Sequence, residues 1–205
     1  MLRVVFIYLS FSFPFAFAQD VLITDSLKSI PAIHEGESVV IQRNQDRNAN
    51  VVRYYQSTWR GKLQPLHPFK PHPVETLAEL EVLDYIDKIS KGDNTILLVD
   101  SRPQSAINLT GIIPSAIRVN STMIYANNKR DETLLRFGVT KKNDAYQFDQ
   151  AKTLVLYCNG AWCGKSPRMI RKLISLGYPA EKLKYYRGGM QAWQLHGLSV
   201  IKSNK

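Results

Sequence analysis

The chain has 205 residues, of which 44% are apolar and 21% charged, the balance of a globular protein with one main domain and extensions. Its formal net charge is +10, but no recognised nucleic-acid motif accompanies this charge, so nucleic acid is a weak candidate partner. A net positive charge also keeps a protein soluble, which is a simpler explanation than nucleic-acid binding. No internal repeat or low-complexity segment interrupts the chain.

Residues 1–18 have the pattern of a secretory signal peptide. Arg3 precedes an apolar run that ends on the small residues Ala16 and Ala18, as at a cleavage site. The alternative is an uncleaved membrane anchor, but the run is short for a span and contains Pro14. We therefore expect an exported protein with no stable membrane insertion after cleavage, and a bacterial periplasm is the natural compartment.

Residues 19–64 read as a small N-terminal extension. Two β-prone runs, Ser38 to Asn44 and Asn50 to Ser57, predict a possible β-hairpin. Residues 65–73 contain a proline every two or three positions, which excludes a helix or a central strand and indicates a linker. Its two histidines have no acidic or thiol neighbours and are interpreted as linker residues rather than metal ligands.

The main domain, residues 74–205, alternates helices with strands. Thr76 and Glu79 form a capping-box pattern that predicts a helix ending at Gly92. Further helices are predicted around Asp131 to Phe137, in "SPRMIRKLISLG" and in "GMQAWQLHG". The predicted strands are "TILLVD", "SAIRVN", "KTLVLYC" and "KLKYY".

This alternation predicts an α/β fold: a parallel sheet of about five strands, covered by helices on both faces. In such sheets the chemistry lies beyond the carboxyl ends of the strands. Asp100 and Cys158 each end a predicted strand. We expect both side chains to face the same crevice.

The loop "CNGAWCGK" contains both cysteines of the chain, Cys158 and Cys163. It leads into a helix with Ser166 as the expected N-cap. A loop that enters a helix in this way presents backbone N–H groups and the positive end of the helix dipole. Together with Lys165 and Arg168, this cradle favours a thiolate at Cys158.

Four motifs in this order resemble the rhodanese-like family: "LLVDSR", "GIIPSAIRVN", "LVLYCNGAWCGKS" and "YYRGGMQAW". The loop is similar to that of exported single-domain members whose loop reads Cys-Asn-Gly-x-x-Cys. The resemblance covers about two thirds of the expected mature chain. It does not explain the N-terminal extension.

The resemblance implies a sulfurtransferase that works by persulfide chemistry. Cys158 would take the outer sulfur of a small anionic donor such as thiosulfate and pass it to a thiol or to cyanide, with no metal or organic cofactor. The backbone of the loop would hold the anionic sulfur, and Arg187 could meet the donor. The implied substrate-binding residues are Asn159, Gly160, Ala161, Trp162, Cys163, Gly164, Lys165 and Arg187, supported by Asp100, Arg102, Ser166 and Arg168.

The chain departs from the common family loop, which carries arginine five positions after the nucleophile, where this sequence has Cys163. Related phosphatases and arsenate reductases require arginine six positions after it, where this sequence has Gly164. Three roles for Cys163 stay open: a structural disulfide with Cys158, a resolving thiol that forms a reversible disulfide, or a passive neighbour.

Two further functions therefore stand beside sulfur transfer. One is a periplasmic thiol-disulfide redox protein that cycles a Cys158–Cys163 disulfide and works with a periplasmic redox partner. The other is a non-catalytic module that recognises a partner. Asp100 and Arg102 are interpreted as an ion pair rather than acid/base catalysts. Trp162 is interpreted either as an exposed lip for a partner or as packing against a neighbouring helix.

Overall fold

A computed structural model describes residues 20–202. The predicted signal peptide lies outside this range. Among the residues described, no helix has the length and apolar character needed to cross a membrane.

The elements follow one another in the α/β order predicted from the sequence. In chain order they are β1 (Ser29–His34), β2 (Glu37–Gln42), α1 (Arg53–Gln56), β3 (Glu75–Leu77), α2 (Glu79–Ser90), β4 (Ile96–Asp100), α3 (Gln104–Thr110), β5 (Ala116–Arg118), α4 (Asn127–Arg136), β6 (Thr140–Lys142), β7 (Ala145–Gln147), β8 (Thr153–Tyr157), α5 (Lys165–Ser175), β9 (Leu183–Tyr186) and α6 (Gly189–Leu195).

The main sheet has five parallel strands in the order β3-β9-β8-β4-β5. The central strand β8 is almost wholly buried: residues 154–157 are 0% exposed, as expected of an apolar run covered on both faces. One face packs against α2, α3 and α6, and the other against α4 and α5. The predicted parallel sheet, covered by helices on both faces, is confirmed.

The hairpin of the extension lies earlier than the two runs predicted to form it. It consists of β1 and β2, joined at Glu35 and Gly36, whose φ angles are 50° and 87°. Positive φ at both turn residues matches the twist of a tight hairpin. The second predicted strand contains α1 instead.

The extension is part of the main core. Ile30, Ala32 and Ile41 of the hairpin are at most 7% exposed and join the core cluster that includes α2 and α6. Backbone bridges pair Arg43 with Leu198. The hairpin therefore packs on the domain instead of forming a separate unit.

The predicted start of the second helix is also shifted. Thr76 belongs to β3, where it pairs with Tyr185, and its hydroxyl donates to the carbonyl of Leu66 at 2.6 Å. The helix begins at Glu79, and the carboxylate of Glu81 accepts the Ala78 N–H at 3.0 Å. A three-residue edge strand is too short to show a period of two in the sequence.

Candidate active site

The cysteine loop lies at the carboxyl end of β8, between that strand and α5. The first turn of α6 holds it in place: the Met190 N–H donates to the Cys158 carbonyl at 2.9 Å, and the Gln191 N–H donates to the Asn159 carbonyl at 2.8 Å. Gly189 has a φ of 58°, and a Cβ there would lie 2.4 Å from the Cys158 oxygen. The loop can approach α6 this closely because the residue is glycine.

Both cysteines are free thiols buried beneath this loop, with Cys158 2% and Cys163 5% exposed. The two thiols are close enough for each to shift the pKa of the other. The Cys158 thiol also donates to the Cys163 carbonyl at 3.3 Å. The loop therefore brings together two sulfurs that are five residues apart in the chain.

The two thiols differ in acidity. Burial, followed by the contact with Cys163, raises the pKa of Cys158 well above its ordinary value. The hydrogen bond from the Cys158 thiol lowers the pKa of Cys163 to about 6, helped by the N–H groups of Lys165 and Asn159 and by the charge of Lys165. This order differs from the expectation that the cradle favours a thiolate at Cys158, because two of the loop N–H groups point at the second sulfur.

Ser166 contacts Cys158 from the start of α5. Its backbone N–H and its hydroxyl both lower the pKa of Cys158, although less than burial raises it. Gly164 is the N-cap, so Ser166 lies two positions inside the helix instead of at the N-cap position predicted for it. Its hydroxyl also pairs at 2.8 Å with that of Ser101, whose role the sequence analysis missed.

The predicted ion pair of Asp100 and Arg102 is formed, with both side chains 0% exposed and Nη2 2.6 Å from Oδ2. Burial opposes the charge on Arg102, but the hydrogen bonds and charge of Asp100 outweigh burial and raise its pKa. Arg102 Nη1 lies 3.3 Å from the hydroxyl of Tyr55, which donates to Asn159 Oδ1 at 2.9 Å. The pair is thus a structural support for the loop rather than an acid/base couple facing the thiols.

The N-terminal extension covers the loop, which the sequence did not reveal. The Gln64 N–H donates to the Ala161 carbonyl at 2.7 Å. Arg187, expected to meet a donor, instead donates from Nε and Nη2 to the Gln64 carbonyl at 3.0 and 2.9 Å. The guanidinium of Arg60 lies 5.1 Å from the Trp162 ring centroid. Residues 55–64 therefore form part of the wall around the cysteines.

The remaining predicted residues lie at different depths. Trp162 is half-buried, and its Nε1 donates to Gln191 Oε1 at 2.8 Å, so it packs against α6. Lys165 is half-buried beside the loop, whereas Arg168 is exposed and is not one of the main groups that shift the pKa of either thiol. Within residues 20–202 no group of three or more His, Cys, Asp or Glu side chains could hold a metal ion.

The chain matches the family model of the rhodanese-like domain over residues 82–196, which is more than half of its length. The protein belongs to the rhodanese-like family. The search of curated proteins gave no match. The family assignment therefore rests on the match to the family model.

Several solved structures are similar in fold. A rhodanese-like domain from Anabaena sp. is 16% identical, with 63% of this chain and 80% of that chain covered and a TM-score of 0.38. A protein of unknown function from Rhodopseudomonas palustris, described as a possible tyrosine phosphatase, is 20% identical over 62% of this chain and 85% of that chain, with a TM-score of 0.43. An As–Sb reductase from Leishmania major is 18% identical over 60% and 79%, with a TM-score of 0.40.

Proposed function

We propose that this rhodanese-like protein is a sulfurtransferase that carries a sulfane sulfur on Cys158. One observation carries the proposal: two buried thiols that shift each other's pKa lie at the carboxyl end of the central strand, in front of the N-terminus of α5. The helix N-terminus and Lys165 supply the positive potential that an anionic donor and an anionic sulfur both need. Membership of the family agrees with sulfur transfer or a related activity.

The first step makes the nucleophile. The lowered pKa of Cys163 favours a negative charge on that sulfur, while burial keeps Cys158 protonated. As the sulfur donor reaches Cys158, the proton of the Cys158 thiol moves to the Cys163 sulfur. A thiolate is left on Cys158. The backbone N–H and the hydroxyl of Ser166, both of which lower the pKa of Cys158, then stabilise that thiolate.

The second step transfers the sulfur. The Cys158 thiolate attacks the outer sulfur of thiosulfate, a new S–S bond forms, and sulfite leaves with the electron pair of the broken bond. An acceptor thiolate or cyanide then attacks the outer sulfur of the persulfide and restores the Cys158 thiolate. Each step conserves charge and needs no other oxidant or reductant.

A second candidate function is a thiol-disulfide redox protein, favoured by the 3.3 Å approach of the Cys158 thiol to the Cys163 carbonyl and by the effect of each thiol on the pKa of the other. In this cycle the Cys163 thiol attacks the inner sulfur of a Cys158 persulfide, which forms the Cys158–Cys163 disulfide and expels hydrosulfide. Two electrons from an external dithiol partner, such as a periplasmic redox protein, then restore both thiols. The pattern of residues 1–18 supports export to such an oxidising compartment.

The test is the intact mass of the protein after incubation with thiosulfate and removal of the excess. Sulfur transfer predicts a gain of one sulfur atom that cyanide removes, and a Cys158→Ser variant that gains none. Loss of two hydrogens in place of the added sulfur favours the redox cycle. If neither change occurs, both proposals are wrong.

A further inference from the structure

The hydroxyl of Tyr185 is the unusual polar group near the thiols. The side chain lies in β9 and is 0% exposed, and its hydroxyl has no hydrogen-bond partner among residues 20–202. Buried polar groups are nearly always hydrogen-bonded, so an unbonded hydroxyl calls for an explanation. A phenylalanine would fill the same space without leaving a polar atom unbonded.

The sheet register places this side chain on the same face as Cys158. Tyr185 pairs with Leu156 of β8, and both belong to the core cluster beneath α5. Side chains alternate along a strand, so Cys158, two residues beyond Leu156, points to that same face. The ring of Phe69 packs edge-on against that of Tyr185, with centroids 5.5 Å apart, and fixes its direction.

The charge on the thiols affects the pKa of the Tyr185 hydroxyl. Burial, and next the negative charge that Cys158 carries when ionised, raises the pKa of Tyr185, with a smaller contribution from Cys163. Tyr185 is therefore a neutral O–H donor at any physiological pH. It nevertheless makes no hydrogen bond with either resting sulfur.

A persulfide on Cys158 places its outer sulfur about 2 Å beyond the inner one. We propose that the Tyr185 hydroxyl donates a hydrogen bond to the outer sulfur of a Cys158 persulfide and so selects the sulfur-loaded state over the resting thiol. This inference rests on the proposed sulfurtransferase function. No proton is transferred: the hydroxyl keeps its proton, and the anionic sulfur gains a donor that the resting state does not use.

The proposal separates Tyr185 from residues that only build the loop. A packing role would act equally on the resting and loaded states. A donor reached only by the outer sulfur shifts the equilibrium between thiosulfate plus thiolate and persulfide plus sulfite. This equilibrium is the readout that a merely structural tyrosine would not change.

The experiment compares the wild-type protein with Tyr185→Phe, using full-length protein at several ratios of thiosulfate to sulfite and intact mass to count the loaded fraction. We expect the equilibrium constant for loading to fall about tenfold in Tyr185→Phe, the effect of one lost hydrogen bond to a charged group. The midpoint of thermal unfolding should not fall, since the variant removes a hydroxyl that has no partner in the resting state.

Tyr178→Phe is the matched control. Tyr178 belongs to the same core cluster and is also buried, but its hydroxyl already donates to the Lys152 carbonyl at 2.5 Å. Its loading equilibrium should equal that of the wild type. An unchanged loading equilibrium in Tyr185→Phe, or an equal fall in both variants, overturns the proposed role of Tyr185 but not the proposed sulfurtransferase function. If the wild type takes no sulfur at any ratio, the proposed function fails as well.

Discussion

The Cys163→Ser variant tests how the two thiols share their proton. In the wild type the pKa of Cys163 is about 6, so about 90% of it is ionised at pH 7, whereas an ordinary thiol is about 3% ionised. Serine cannot accept the proton of Cys158 at this pH. Because burial makes Cys158 harder to ionise than an ordinary thiol, we expect the second-order rate of persulfide formation at pH 7 to fall by at least about thirtyfold.

The pH dependence distinguishes the three roles of Cys163. Loss of the proton acceptor leaves Cys158 with a pKa raised by burial, so the variant should recover only in alkaline solution beyond the range of an ordinary thiol, where Cys158 ionises unaided. The wild-type rate should instead decline as the pH falls through about 6, where Cys163 takes up a proton.

The assay measures the loaded fraction by intact mass at short times after mixing with thiosulfate. An unchanged profile in Cys163→Ser would show that Cys163 is passive and would refute the proton-sharing argument. A loss of turnover at every pH, without rescue, would mean that a disulfide belongs to the cycle. Thermal unfolding of the variant serves as the control for folding.

Three further substitutions test the support of the loop. Tyr55→Phe removes the hydrogen bonds that the Tyr55 hydroxyl makes with the side-chain amide of Asn159 and with Arg102. It should lower the free energy of unfolding by about 1–3 kcal/mol in a denaturant titration. Gly189→Ala places a Cβ against the loop main chain and should cost several times more than Gly164→Ala, where a Cβ meets no atom within 4 Å. Asp100→Asn leaves Arg102 buried without its counter-charge and should cost about 3–5 kcal/mol in the same titration.

Much of the main domain could be predicted because its elements have strong local signals. The predicted strands ending at Asp100 and Cys158 correspond to β4 and β8, although β8 ends one residue earlier, at Tyr157. A continuous apolar run of this length is typical of a strand covered on both faces. Helix α5 followed from its apolar period of 3.6. The ion pair of Asp100 and Arg102 followed from its place at a strand end.

The extension was harder to predict because its structure depends on distant contacts. The hairpin signal was present at Gly36, but the β-prone runs that follow it were stronger in sequence. Tyr55 and Gln64 contact the cysteine loop about a hundred residues later. No local pattern reports such a contact, since it is decided by how the chain packs on the sheet.

The acidity of the thiols also required the structure. Sequence reasoning placed both cysteines in one cradle but could not say which sulfur faces the N–H groups of Asn159 and Lys165. The lack of a hydrogen-bond partner for the Tyr185 hydroxyl could not be predicted for the same reason. The sequence "KLKYY" predicts a buried strand, and a tyrosine in such a strand is expected to be an ordinary core residue.

The central claim is that sulfur is carried on Cys158, and the location of the added sulfur tests it most directly. After incubation with thiosulfate, trypsin should release residues 153–165 as one peptide that contains both cysteines. Fragmentation between Gly160 and Trp162 separates the two sites. We predict that the extra sulfur lies on Cys158, and an adduct found only on Cys163 would contradict the account.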